Sequence, residues 1–228
     1  LDCLFLCVTN TPIALSIANE LANKLNSSTL VIDITTHHQT GSIEMLNIFK
    51  QNNINYCECP VMGGPTQSEE GVLGGILGAS EDNFKIAEEY LKSFCKNIFH
   101  FGDVGQGAKA KLICNFLSLG TTTFVIETIK ALRKHNVDFE KFYEVAKLGS
   151  GNSGALSRVA DKAINGDYKG YIFSVDNTHK DLTYINDLLK DMPNAEKLSS
   201  LTKSFYKNAS DKGMGDLLIS ELIDKDNN

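Results

Sequence analysis

Lys111 and Asn115 stand four residues apart in the segment Gly105-Gln106-Gly107-Ala108-Lys109-Ala110-Lys111-Leu112-Ile113-Cys114-Asn115, so a helix puts an ammonium and a carboxamide on one face. A lysine held on such a face against a neighbouring domain can lose its hydration and trade a proton with a substrate hydroxyl. The same spacing also suits an ordinary solvated helix with a glycine-rich start. Other segments add to the first reading. Thr9-Asn10-Thr11-Pro12 and Thr35-Thr36 carry hydroxyls and backbone amides, and Pro60-Val61-Met62-Gly63-Gly64 offers two amides that can approach an anion closely. Lys180 supplies a further cation.

The elements that must position these groups follow from the apolar pattern. Residues 3–8, 30–34 and 55–59 read as short buried strands, separated by helices over 12–25 and 41–52. Strand and helix alternate, as in a doubly wound parallel sheet whose ligand sites gather at the carboxyl ends of the strands. Residues 71–79 read as a strand pair or extended crossover, followed by a helix over 81–95 and a strand over 97–101. Beyond Gly105 the period becomes helical, with one long helix over 109–136 and further helices to the end, joined by Gly, Asn and Pro turns. The expected organisation is an α/β domain over 1–103 with a partial Rossmann-type sheet, then an all-helical domain over 104–228 ending in a polar tail at 224–228. The loops named above then fall at strand ends or at the junction of the two halves, where they can converge on one cleft.

Composition excludes several classes of protein. The 228 residues are 42% hydrophobic with a net charge of −6, and charges of both signs are spread along the chain, which argues against nucleic acid as a partner. Six cysteines at wide spacings in apolar runs read as buried thiols in a reducing, cytoplasmic setting. Cys57 and Cys59 share a strand face, but no second close pair or nearby histidine completes a metal site. His37 and His38, adjacent in a polar loop, read as solvated. No apolar run approaches the ~20 residues of a membrane span, so no membrane partner is expected.

Taken together, the order of segments resembles the beta-hydroxyacid dehydrogenase family, which includes 3-hydroxyisobutyrate dehydrogenase and tartronate semialdehyde reductase. The resemblance rests on residues 8–12, on Asp33-Ile34-Thr35-Thr36, and on Gly63-Gly64 with Gly71 downstream. It continues through Gly105 to Asn115, Lys180-Asp181-Leu182 and Gly213-Met214-Gly215-Asp216. It implies interconversion of a small 3-hydroxy acid and its semialdehyde with NAD or NADP, in a homo-oligomer. It implies that Lys111 is the general acid/base and that Gly63, Gly64, Asn115 and Lys180 bind substrate. Thr9, Asn10, Pro12, Thr35 and Lys180 would line the cofactor, and no metal takes part.

Three departures stand out. Met62 occupies a position where the family usually has serine, exchanging a hydroxyl for a thioether that donates no hydrogen bond. Leu218 stands where a second acidic residue is usual. No strand followed by a Gly-x-Gly-x-x-Gly turn and a helix begins the sheet, and the first residue is leucine, so a truncated chain lacking about 60 residues of the first domain is expected, with an exposed sheet edge and weak dinucleotide binding by itself. Two alternatives stay open: a reductase of another carbonyl or imine, and a non-catalytic dimerisation or binding module.

Overall fold

Leu30-Val31-Ile32-Asp33 is buried along its whole length, as a strand covered on both faces must be. In this computed structural model, which describes residues 1–224, the segment is the middle strand β2 (Leu30–Asp33) of a parallel sheet. The order is β1 (Cys3–Leu6), β2, β3 (Asn55–Glu58), and β1 is an edge strand paired with β2. Helices α1 (Thr11–Leu21) and α2 (Gly41–Gln51) make the crossovers. Alternation along the strands splits the core: Val31 and Tyr56 pack with Ala14, Ala18, Met45 and Phe49 of these helices, while Leu30, Ile32 and Cys57 face the opposite side. Asn10 starts α1, its side chain accepting the Ile13 amide at 3.0 Å, with Pro12 in the first turn.

A second sheet follows, ordered β4 (Val61–Met62), β5 (Leu73–Leu77), β6 (Cys95–His100), in which β4 is antiparallel to β5 and β5 parallel to β6. A short helix α3 (Pro65–Glu69) joins β4 to β5, and α4 (Glu81–Leu91) joins β5 to β6, placing Ala87 and Leu91 on the free side of the first sheet. An antiparallel bridge between Glu58 and Gly78 links the two sheets. Residues 71–79 therefore hold one strand, not a pair; the antiparallel partner of β5 is the two-residue β4, too short to show a period.

The remainder is helical: α5 (Gln106–Lys134), α6 (Phe139–Leu148), α7 (Gly154–Ala163), α8 (Val175–Leu188) and α9 (Pro193–Ala209), then a π-turn Ser210–Met214 and a 3-10 turn Ile219–Ile223. The chain divides into two compact units, Leu1–Cys114 and Asn115–Asn228, the division falling inside α5. Within the second unit α8 and α9 are tied by Asn186, which donates to Ser199 at 2.9 Å and accepts from Lys203 at 3.1 Å. Glycines 149, 151 and 154 have the Gly-x-Gly-x-x-Gly spacing, but they join α6 to α7 and so follow a helix, not a strand. A Cβ at Gly151 or Gly154 would meet open space, so neither is there for a close approach.

Three sequence expectations need correction. His37 is fully buried, because it has two buried partners that its polar neighbours in sequence do not reveal. Cys7, unlike Cys57, Cys59 and Cys95, is exposed, since it lies past the end of β1. Helix α5 carries an 18-residue window with mean hydropathy 1.5, enough by length and composition to cross a membrane, with 44% of that window buried. Its serine and three of its four threonines (Ser118, Thr121, Thr122, Thr123) conceal the run, because each donates its hydroxyl within α5 to a carbonyl three or four residues earlier. Of the polar tail, residues 225–228 lie outside the described residues.

Candidate active site

The first turn of α5 is fastened by Glu58, which ends β3 and is fully buried. Its Oε1 accepts the amides of Gly105 at 2.7 Å and Ala108 at 3.0 Å, a carboxylate on the positive end of a helix. Burial pushes the Glu58 carboxyl above its ordinary pKa; the Ser42 hydroxyl and these amides pull it back only in part. The glycines explain the fit. Gly105 has φ +100, and a Cβ on Gly107 would lie 2.8 Å from the Ile76 carbonyl and 2.9 Å from the Gly78 amide. Close approach of α5 to the end of β5 thus sets the position of Lys111, one turn further on.

Lys111 is half-buried, and its Nζ donates to the Val61 carbonyl at 2.7 Å and lies 3.4 Å from the Met62 thioether. The lysine is thereby held at the start of the Val61-Met62-Gly63-Gly64 turn. Gly63 has φ +123, with Leu73 2.6 Å from where a Cβ would be, so only glycine fits. The Gly64 amide already donates to the Gln67 side-chain oxygen at 2.9 Å, and a substrate carboxylate there has to displace that carboxamide.

At the ends of β1 and β2 the predicted residues separate into two groups. Thr9 and Pro12 are exposed and Asn10 is half-buried, its side chain spent on capping α1. Thr35 is 2% exposed, and its hydroxyl accepts the Val8 amide at 3.2 Å, so it braces the β1 loop and does not present a hydroxyl to solvent. Beneath lies a network that the sequence reading missed. Asp33 accepts the Thr35 amide at 2.9 Å, His37 Nε2 at 2.8 Å and the Tyr56 hydroxyl at 3.3 Å, while His37 Nδ1 is 3.1 Å from the Thr11 hydroxyl.

In the second unit Asn115 and Lys180 meet the same carboxylate. Asn115 Nδ2 donates to Asp181 Oδ2 at 2.8 Å, and Lys180 Nζ forms an ion pair with Asp181 Oδ1 at 3.1 Å. Asp181 is 2% exposed and sits among Val175, Thr178, Leu182 and Ile185 on the buried stripe of α8. A charge on an apolar stripe is the signal that could have found it. The terminal glycine motif packs at the start of α8: a Cβ on Gly215 would lie 2.4 Å from Asp176, and Gly213 has φ +84.

Two family models match successive parts of the chain. Residues 1–102 match a family model described as the NAD-binding domain of 6-phosphogluconate dehydrogenase, and residues 105–224 match one described as NAD-binding of NADP-dependent 3-hydroxyisobutyrate dehydrogenase. The chain is 26% identical over 226 residues to 2-(hydroxymethyl)glutarate dehydrogenase of Eubacterium barkeri, covering 97% of this chain and 75% of that protein. It is 32% identical over 131 residues to 3-hydroxyisobutyrate dehydrogenase of Pseudomonas aeruginosa, covering 56% of this chain and 43% of that one. Among solved structures, 3-hydroxyisobutyrate dehydrogenase of Salmonella typhimurium shares the fold with a TM-score of 0.88 at 22% identity, over 98% of this chain and 79% of that one. An imine reductase from Myxococcus stipitatus shares it at a TM-score of 0.60 and 18% identity, over 97% and 80%.

Proposed function

This chain belongs to the beta-hydroxyacid dehydrogenase family, and from that premise we propose that its residues carry the interconversion of a small 3-hydroxy acid and its semialdehyde, with Lys111 as general acid/base. One observation carries the reading: the Lys111 ammonium nitrogen is anchored 2.7 Å from the Val61 carbonyl, at the head of the turn that bears Gly63 and Gly64. A proton-transfer group on α5 and a carboxylate-binding turn after β4 are then tied together by one hydrogen bond. In oxidation, neutral Lys111 accepts the proton of the substrate hydroxyl and becomes an ammonium that donates to Val61. In reduction the same proton goes to the carbonyl oxygen.

NAD or NADP, when bound, supplies the hydride acceptor or donor. The residues present fit the nicotinamide end of such a group: Thr9, Asn10 and Pro12 follow a parallel strand at its carboxyl end, and buried Thr35 and Thr11 hold that loop from below. Among the described residues no strand leads into a Gly-x-Gly-x-x-Gly turn, and none is assigned to the diphosphate.

Gly63 and Gly64 are assigned to the substrate carboxylate, and Asn115 and Lys180 are assigned as the substrate-binding residues of the second unit. Met62 favours a second reading, reduction of a less polar carbonyl or imine, because a thioether cannot donate to a carboxylate. Homo-oligomers form through α5, on which Ile113, Leu117 and Phe124 are exposed. The test is a screen of the complete protein against small 3-hydroxy acids with NAD and with NADP, followed by nicotinamide absorbance. Turnover of a 3-hydroxy acid supports the first reading; turnover only of imines or uncharged carbonyls replaces it with the second.

A further inference from the structure

His37 is buried completely in a loop whose neighbours in sequence are polar, and both of its ring nitrogens are engaged. Nε2 lies 2.8 Å from Asp33 Oδ2, at the end of β2. Nδ1 lies 3.1 Å from Thr11 Oγ1, on the first residue of α1. Thr11 is itself fully buried, and its oxygen also accepts the His38 amide at 3.2 Å. The packing around the ring leaves no slack: a Cβ on Gly41 would lie 2.7 Å from the Thr11 methyl, 3.1 Å from His37 Cβ and 3.2 Å from His37 Nδ1.

These contacts select one protonation pattern. With Nε2–H donating to the Asp33 carboxylate, Nδ1 is left as an acceptor for the Thr11 hydroxyl proton, and the Thr11 oxygen keeps a lone pair for the His38 amide. Every polar hydrogen then has a partner. In the other neutral tautomer Nε2 and the carboxylate oxygen would face each other as two acceptors. An imidazolium would leave the Thr11 hydroxyl proton with nowhere to go in a buried site. The arrangement has the order of a hydroxyl, imidazole and carboxylate relay, but a threonine with no exposed surface cannot meet a substrate, so nucleophilic catalysis does not follow.

We infer that His37 is a positioning residue: a neutral clasp, protonated on Nε2, that fixes the loop after β1 to the loop after β2. The inference rests on the reading above, in which Thr9, Asn10 and Pro12 line the nicotinamide. The clasp acts through these residues, because Thr11 lies between Asn10 and Pro12 in sequence and cannot shift without them. Asp33 braces the same pair of loops a second way, through the Thr35 amide, while the Thr35 hydroxyl holds Val8.

The test uses the complete protein and two kinds of measurement. Nitrogen-15 spectra of the histidine rings at neutral pH should show His37 with a protonated Nε2 and a bare Nδ1; the opposite tautomer or an imidazolium overturns the clasp. Steady-state kinetics should show His37→Leu raising KM for the dinucleotide about tenfold, with kcat at saturation within about twofold, the loss of one hydrogen bond to a charged group being of that size. His37→Gln, which can still reach Asp33, should recover part of the loss. Thr11→Val, which removes only the hydroxyl, serves where His37→Leu does not fold and should raise the same KM by a smaller factor. A lowered melting temperature with KM unchanged in these variants overturns the positioning role and leaves a purely structural one. A wild-type protein that turns over no substrate but binds the dinucleotide overturns the catalytic reading alone, with dissociation constants then replacing KM in the comparison. A wild type without dinucleotide affinity overturns both.

Discussion

Lys111 Nζ and the Val61 carbonyl are 2.7 Å apart, although the two residues are 50 positions apart in sequence. The lysine is therefore aimed by the backbone of another element, and its side-chain freedom is already lost before a substrate arrives, which favours proton transfer in a fixed geometry. Lys111→Ala should lower kcat by about 10²–10⁴, the usual worth of one general acid/base, while the melting temperature stays close to that of the wild type because the side chain is only half-buried. Steady-state kinetics and a thermal melt on the same sample check both halves, and an unchanged kcat removes Lys111 from the chemistry.

Met62 presents sulfur 3.4 Å from the same ammonium. Met62→Ser puts a hydroxyl donor beside Gly63 and should lower KM for 3-hydroxy acids by about tenfold, one hydrogen bond to a charged group, with kcat little changed. The same variant should gain nothing on uncharged carbonyl substrates. Equal gains on both classes would place the effect outside carboxylate recognition.

How much of this site was legible in the sequence depends on how far each cause reaches along the chain. Lys111 and Asn115 declare themselves by helical spacing, and Gly105 and Gly107 by their proximity. Glu58, Asp33 and Asp181 do not, because what makes each indispensable is a partner 47, 23 or 66 positions away. A charged residue inside an apolar run, as in Tyr56-Cys57-Glu58-Cys59, is the trace they leave. His37 leaves none, since a histidine among threonines and glutamine looks the same solvated or clasped. The α/β-then-helical architecture was legible because strands of four or more residues and helices of ten or more show their period. β4 and α3, with two and five residues, are set by the close packing of Gly63 on Leu73 and could not be read.

Gly107 and Gly154 offer a contrast at two helix starts. A methyl at Gly107 collides with the Ile76 carbonyl and the Gly78 amide, neither of which can yield without breaking the link between the two sheets. Gly107→Ala should cost about 1–3 kcal/mol of stability, and turnover should fall with it as Lys111 moves. At Gly154 the added methyl meets nothing, and Gly154→Ala should stabilise by about 0.4–1 kcal/mol through the unfolded chain. Urea denaturation of the two variants tests the pair.

Asp181 neutralises Lys180 and accepts from Asn115 while almost wholly buried. Asp181→Asn keeps the shape but removes the charge, leaving Lys180, whose side chain is 23% exposed, with less compensation. The expected cost is about 1–3 kcal/mol, smaller than for a fully buried pair because water still reaches the lysine. Substrate KM should rise in the same variant. A stability loss without any change in KM would confine Asp181 to the core of the helical unit.

Glu58 fixes the sign of one pH effect. Its carboxyl is pushed above the ordinary value of ~4.3 by burial, so the folded state holds this proton more tightly than the unfolded chain does. The stabilisation from that proton is fully present below the unfolded value and is lost as pH rises through the raised folded value. Glu58→Gln removes the titration but keeps an oxygen for the Gly105 and Ala108 amides. Its stability relative to the wild type should therefore improve as pH rises from about 4 toward neutrality. Urea denaturation at a series of pH values measures the difference directly. A difference that stays flat, or that turns against the glutamine as pH rises, would show that the two amides stabilise the charged carboxylate enough to outweigh the burial that raises its pKa.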